Sequence, residues 1–182
     1  MKKARRIVRI SRYVIYKETS FDALDHLWTF MGSFTGIALI GFLQSFYFEL
    51  NDNLFLIGSF GATSVLIYGA IHSPLAQPRN VIGGHLISAF IGVTIGKFLP
   101  DITWLSAALA VSLSIVFMQI TKTLHPPGGA TALIAVIGSE KIKNLGYMYL
   151  FSPVLSGIII MLTVALVFNN LSKNRHYPSK KK

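Results

Sequence analysis

The sequence predicts an all-α polytopic membrane bundle of about six spans, built as a three-plus-three inverted repeat with two short, broken helices. Three observations lead there. The chain is 52% hydrophobic and 13% charged, with a mean hydropathy of +0.56, far from the roughly 25% charged residues of a soluble domain. Its apolar residues fall in long uncharged blocks near the roughly 20 residues that a 30 Å hydrocarbon core requires. One short motif also occurs twice, each time on a block too short or too glycine-rich to cross as a plain helix.

Residues 1–26 form a basic arm with Lys2, Lys3, Arg5, Arg6, Arg9, Arg12 and Lys17. Ile7, Ile10 and Val14 stand between these charges at helical spacing, so a basic amphipathic helix on anionic headgroups is expected. No small-residue cleavage site follows the first apolar block, so no cleavable signal peptide is expected. Four blocks have full spanning length: 27–48, 81–99, 102–120 and 149–168. Two are irregular: 54–71, with Gly58, Gly61 and Gly69, and 125–138, opened by two prolines and two glycines. With six crossings, Arg79, Lys122 and the basic tail 171–182 share the side of the N-terminal arm, and only Lys97, Lys141 and Lys143 lie opposite. Basic residues collect on the cytoplasmic side. Both termini are therefore expected in the cytoplasm, with the chain in the cell's inner (plasma) membrane. With five spans, and 125–138 re-entrant, the basic tail would lie outside.

The motif Gly61-Ala62-Thr63-Ser64-Val65-Leu66-Ile67 returns as Gly129-Ala130-Thr131-Ala132-Leu133-Ile134-Ala135. Downstream, 78–84 can be laid over 151–157. Each copy then holds three spans, and an odd number of crossings makes the second copy enter from the other face. The alternative reading is that small residues recur because they let helices pack closely. In the first copy, Gly58-Ser59-Phe60-Gly61 is expected to interrupt the chain before a helix from about Ala62. In the second, Pro126 and Pro127 lack N–H groups and Gly128 and Gly129 accept any φ, which suggests an extended approach and a helix from near Gly129. Irregular backbone at membrane depth must face protein or a wet cavity. Two helix N-termini pointing at the middle would favour an anion, with Thr63, Ser64 and Thr131 as hydroxyl donors; such hydroxyls also commonly bond the i−4 carbonyl.

Ionisable groups within spans are candidate functional residues. His85 lies about 9 Å past Arg79 by helical rise, and His125 heads the short second-copy block. Either can bind an anion or pass a proton with it; the alternative is a neutral imidazole that donates to a carbonyl. No enzyme is expected. The chain has no cysteine, no His-Glu-x-x-His and no Gly-x-Ser-x-Gly, and every acid lies outside the apolar blocks, which also argues against a carboxylate metal site. No cofactor is implied. Nucleic-acid binding is not expected either, because no groove-reading motif accompanies the charge. The small residues Gly32, Gly36, Ala89, Gly92 and Gly96 suit internal contacts or a seam in a homo-oligomer.

The strings Ser73-Pro74-Leu75-Ala76-Gln77-Pro78-Arg79-Asn80, Gly83-Gly84-His85 and His125-Pro126-Pro127-Gly128-Gly129-Ala130-Thr131-Ala132-Leu133 resemble the HPP family of integral membrane proteins, named for the His-Pro-Pro run. The resemblance covers about residues 20 to 170, and it implies a membrane domain over 27–170. It adds Gln77 and Asn80 to the candidate site, beside Pro126 and Pro127 of the second-copy entry and Arg79, whose cytoplasmic loop position attraction of anions and topology both explain. Plant plastid and cyanobacterial members are linked to nitrite transport, so nitrite is the cargo the resemblance implies. Members often carry Ala where Gly128 stands, and no plastid transit region is evident here. Passage of a small monovalent anion is thus the leading expectation. A non-transporting ligand sensor and a weak-acid or neutral-solute channel are the alternatives.

Overall fold

The structure, a computed structural model, describes residues 23–47, 57–100 and 102–179. The basic arm and the 49–53 loop lie outside the described residues. Helix α1 runs Ala23–Tyr47. Helix α2, Gly58–Ser64, continues into a π-helical turn, Val65–Gly69, and a 3-10 turn follows at Pro74–Ala76. Helix α3 is Pro78–Phe98, α4 Thr103–Ile120, α5 Pro126–Ile137 and α6 Glu140–Asn144. A 3-10 turn, Gly146–Leu150, and a π turn, Phe151–Leu155, lead into α7, Ser156–Leu171.

Four stretches are long and apolar enough to cross a membrane, namely Ala23–Ser45, Pro78–Phe98, Thr103–Ile120 and Gly146–Leu171, and Pro126–Ile137 is a shorter apolar helix. Their surfaces confirm the solvent. Phe30, Phe34 and Phe42 on α1 and Trp104 and Ile120 on α4 all face outward, while Ser59, Thr63, His85, Ser88, Ser114, Thr131 and Asn169 are buried. Such an apolar exterior is untenable in water and ordinary in lipid, where each segment satisfies its own backbone as helix. The protein is an all-α membrane bundle.

Glycines set how closely the helices approach. On α3, Gly84 lies against His125, Gly92 against Ala132 and Ala135, and Gly96 near Ala135 and Val136. That ascending register makes α3 and α5 parallel. A Cβ on Gly92 would stand 2.5 Å from the Ala132 carbonyl oxygen, so only glycine permits this backbone contact. Gly32 and Gly36 instead accommodate the buried Tyr68 ring, whose hydroxyl donates to the Met161 carbonyl at 2.9 Å. The candidate seam residues that reach a neighbour in this way all serve contacts within the chain. Just past the end of α4, Lys122 takes a positive φ of 56° as the Thr123 N–H turns back to the Met118 carbonyl at 2.8 Å.

Two helix starts differ from expectation. The motif glycines do not break the chain: α2 already begins at Gly58, after Ile57 in extended geometry (φ −74°, ψ 140°). Helix α5 begins at Pro126, after an extended His125 (φ −141°, ψ 104°). The reason is local. Proline at a first helical turn loses only an N–H that has no intrahelical partner, and its ring presets the helical φ. The last span also begins irregularly, kinked at Ser152 (φ −137°, ψ 122°).

Candidate functional site

The two short helices cross antiparallel near their N-termini. Thr63 of α2 touches His125 at the head of α5, and Ser59, one turn earlier, touches Thr131. The two copies of the motif therefore overlap. Their contacts with the long helices are reciprocal: Gly84 of α3 packs on the first turn of α5 at Gly128, and Gly157 of α7 packs on the first turn of α2 at Phe60. Phe60 and Gly128 precede the glycine of the repeated motif, and Gly84 and Gly157 are equivalent in the overlay of 78–84 on 151–157. Recurrence of small residues alone would not predict this cross-pairing.

His85 enters from α3 between the two motif threonines, about 10 Å along the helix from Pro78 by rise per residue. Its Nε2 lies 2.8 Å from Thr63 Oγ1 and its Nδ1 lies 2.7 Å from Thr131 Oγ1. His125 Nε2 reaches the same Thr63 oxygen at 3.1 Å, and its Nδ1 lies 2.8 Å from the Leu75 carbonyl. A carbonyl only accepts, so that nitrogen carries a proton. The two imidazole centroids are 4.9 Å apart, and the Phe60 ring meets His85 edge-on at 6.0 Å. Both histidines are fully buried. Each threonine also has its i−4 carbonyl in reach, Thr63 that of Ser59 at 3.0 Å and Thr131 that of Pro127 at 3.4 Å. Each hydroxyl has one hydrogen to donate, so the local carbonyl and the ring nitrogens are alternative recipients of it.

Other candidates lie apart from this cluster. Gln77 donates to the Ile71 and Ser73 carbonyls and accepts from the Ser179 N–H. Asn80 donates to the Leu124 carbonyl at 2.9 Å, and the exposed Arg79 donates to the Thr121 carbonyl at 3.2 Å. These three tie loops together at one end of the bundle. Gly61 and Ala62 are exposed on the far face of α2, and Pro126 is exposed while Pro127 and Gly128 are buried and Gly129 and Ala130 half-buried. Ser64 is buried, and among the described residues its hydroxyl has no partner.

The expected row of bare amides is also reduced. Pro126 and Pro127 have no N–H, and that of Gly128 bonds the His125 carbonyl at 2.8 Å. In α2 the Phe60 N–H bonds the Ile57 carbonyl at 2.9 Å. The polarity of the site therefore resides mainly in imidazoles and hydroxyls.

Sequence reading passed over Ser59 as a partner, although it stands four residues before Thr63 and so on the same helical face. It also passed over Tyr149, whose hydroxyl donates to the Thr131 carbonyl at 3.2 Å. Arg175 was counted only as a tail charge. It is buried, donating to the Asp25 carbonyl and carboxylate at 2.8 and 2.9 Å, to Thr29, to the Asn169 side-chain oxygen at 2.9 Å and to the Tyr68 carbonyl. Nothing in a run of Lys and Arg marks that one residue.

Two cavities flank the bundle. One, of about 310 Å³, lies at the far end of α5 and is lined by Lys97, Lys143, Glu140 and Thr103 over Val93 and Val136. Another, of about 350 Å³, lies beside His72, His176 and Asn170. Neither includes the histidine pair.

A helical membrane bundle that closes around buried ionisable side chains where two short helices meet defines a polytopic protein with an intramembrane polar site. The chain belongs to the HPP family, whose transmembrane-region model matches residues 18–178. It is similar to two transmembrane proteins of Dictyostelium discoideum. One is 49% identical over 156 residues, covering 83% of this chain and 54% of the relative. The other is 47% identical over 154 residues, covering 83% and 49%. The chain thus spans about half the length of these curated relatives. No solved structure matches it.

Proposed function

We propose that this protein moves a small monovalent anion across its membrane, nitrite being the cargo that the family resemblance implies, through the His85–Thr63–His125–Thr131 cluster. The observation that carries this reading is the crossing of two short-helix N-termini around two histidines. Among the described residues, no carboxylate pairs with them. Helix N-termini and imidazole N–H groups favour negative charge, and an absent acid removes the repulsion an anion would meet. Lys97 adds positive charge at the opposite end of α5, Lys143 in the same cavity being paired with Glu140 at 3.0 Å. The full burial of both histidines, packed against Thr63, Thr131 and Phe60, favours a carrier that must open over a standing pore.

The orientation we propose, with both ends of the chain on the cytoplasmic side of the inner membrane, rests on the positive-inside rule. Asn80 bonds Leu124, Tyr177 bonds Ala76 and Arg175 bonds Asp25, so Arg79, Lys122, Lys173 and Arg175 gather at one end. Lys97 meets Tyr147 at the other, 4.9 Å above its ring.

Proteoliposomes test the function. Protein-dependent nitrite uptake is expected, falling about tenfold or more in His85→Ala and His125→Ala, since leaving a buried polar partner unpaired costs roughly 1–3 kcal/mol. Saturable binding without flux would make the protein a ligand sensor. Flux unchanged in both variants would point to a channel for neutral solutes or weak acids.

A further inference from the structure

We infer that the cluster is also a binding site for one proton, taken up at His125 Nε2, with the Thr63 hydroxyl as the switch that accommodates it. The inference rests on the transport reading only for its consequence, that an anion in the cluster would be accompanied by a compensating charge.

Proton counting leads to this assignment. His125 Nδ1 faces the Leu75 carbonyl at 2.8 Å and is a donor in every state of the site. In the uncharged imidazole, Nε2 is then a bare acceptor. The oxygen opposite it, Thr63 Oγ1, has a single hydrogen and three possible recipients: His125 Nε2 at 3.1 Å, the Ser59 carbonyl at 3.0 Å and His85 Nε2 at 2.8 Å.

Without an extra proton, one arrangement satisfies both rings. The Ser59 hydroxyl donates to Thr131 Oγ1, the Thr131 hydroxyl donates to His85 Nδ1, His85 Nε2–H donates to Thr63, and the Thr63 hydroxyl donates to His125 Nε2. When a proton from bulk water binds His125 Nε2, that nitrogen becomes a donor to Thr63 Oγ1. The Thr63 hydrogen then turns to the Ser59 carbonyl, already 3.0 Å away. No heavy atom has to move, no nitrogen is orphaned, and the Thr63 oxygen accepts from both rings with its two lone pairs. His85 stays uncharged, because a second imidazolium with ring centroids 4.9 Å apart would be strongly repelled.

The other groups around the pair do not compete for the proton. Tyr149 bears on Thr131 through its carbonyl, Tyr177 bears on the adjoining turn through the Ala76 carbonyl, and Phe60 presents a ring edge. Among the described residues no ion pair includes either histidine.

The experiment is 15N NMR of histidine-labelled full-length protein in nanodiscs, titrated from pH 8 to pH 4, with His85→Gln and His125→Gln used for assignment. At pH 8 His125 should be the Nδ1–H tautomer; on acidification it should gain a second N–H signal while His85 shows one throughout. Thr63→Val, which keeps the shape and removes the hydroxyl, should move the His125 midpoint to lower pH by more than one unit, and Thr63→Ser should restore it. The inference is overturned if His125 carries its proton on Nε2 at pH 8, if His85 charges first, if neither ring charges within the range, or if Thr63→Val leaves the midpoint in place. Proteoliposome flux is read separately. Absent nitrite flux with the expected titration would remove the transport reading alone, while robust flux with the wrong tautomers would remove only the proton site.

Discussion

Two buried polar centres stabilise different parts of this bundle, and they differ in whether their hydrogen bonds can be rearranged. At one end Arg175 spreads its guanidinium over the Asp25 carboxylate and carbonyl, Thr29, Asn169 and the Tyr68 carbonyl, and Asn169 in turn donates to the Ile67 carbonyl at 2.8 Å. A permanent cation closes off the carbonyl end of the π-helical turn and locks the tail to α1, leaving only Nε without a partner. In the middle, two imidazoles share one threonine hydroxyl, which can accept from one ring while donating to the other. A guanidinium has no accessible second protonation state, whereas the histidine cluster can change its bonding when a charge arrives. One centre is built to hold and the other to respond.

The largest effect should come from removing the holding centre. Arg175→Met leaves the Asn169 side-chain oxygen without its guanidinium donor and the Tyr68 carbonyl with the Thr29 hydroxyl alone, at 3.1 Å, and should cost about 3 kcal/mol. Thermal unfolding in detergent should show the loss, while the pH dependence of any remaining flux stays as in the parent. A shift in that dependence would mean that the two centres are coupled and the contrast between them fails.

Tyr177 tests the same latch with a smaller change. Its hydroxyl donates to the Ala76 carbonyl at 2.6 Å, and burial pushes the phenol's pKa above its ordinary value of about 10. The folded state therefore favours the protonated form. Its stabilisation is complete below the unfolded pKa and declines as pH rises above about 10 toward the folded value. Release of the tail on alkaline titration, followed by limited proteolysis, should disappear in Tyr177→Phe, which itself costs about 1 kcal/mol at neutral pH.

The smallest effect concerns Ser64, whose buried hydroxyl has no partner among the described residues. Ser64→Ala should be neutral or stabilise by up to about 1 kcal/mol, because an unsatisfied polar group is removed, and flux should be unchanged. A marked loss of nitrite flux in a well-folded Ser64→Ala protein would return this residue to the site.

Much of the architecture could be read from the chain because lipid leaves few options. The blocks at 81–99 and 102–120 match α3 and α4 within a few residues, and the doubled motif pointed to two short helices that meet. The helix starts were misplaced by about three or four residues. Flexibility at Gly58 and at Pro126-Pro127 was read as interruption, although proline and glycine are well tolerated in a first turn that lacks intrahelical donors. Within the site, Thr63, His85, His125 and Thr131 were identified because polar groups are conspicuous in apolar blocks. Gln77 and Asn80 came from the family motif; they and Arg79 bond backbone carbonyls of loops at one end of the bundle.

Composition, block length and the repeated Gly-Ala-Thr motif settled by themselves that this is an α-helical membrane protein whose two short helices matter, since each is a local property that burial in hydrocarbon amplifies. The tertiary structure alone decided which hydroxyl faces which imidazole, that the prolines remove amide donors from the α5 terminus, and that Arg175 is buried while its basic neighbours Lys173 and His176 are exposed. Those outcomes depend on ångström-scale approach between segments far apart in sequence, set by glycines such as Gly84 and Gly92 whose contacts no local pattern encodes.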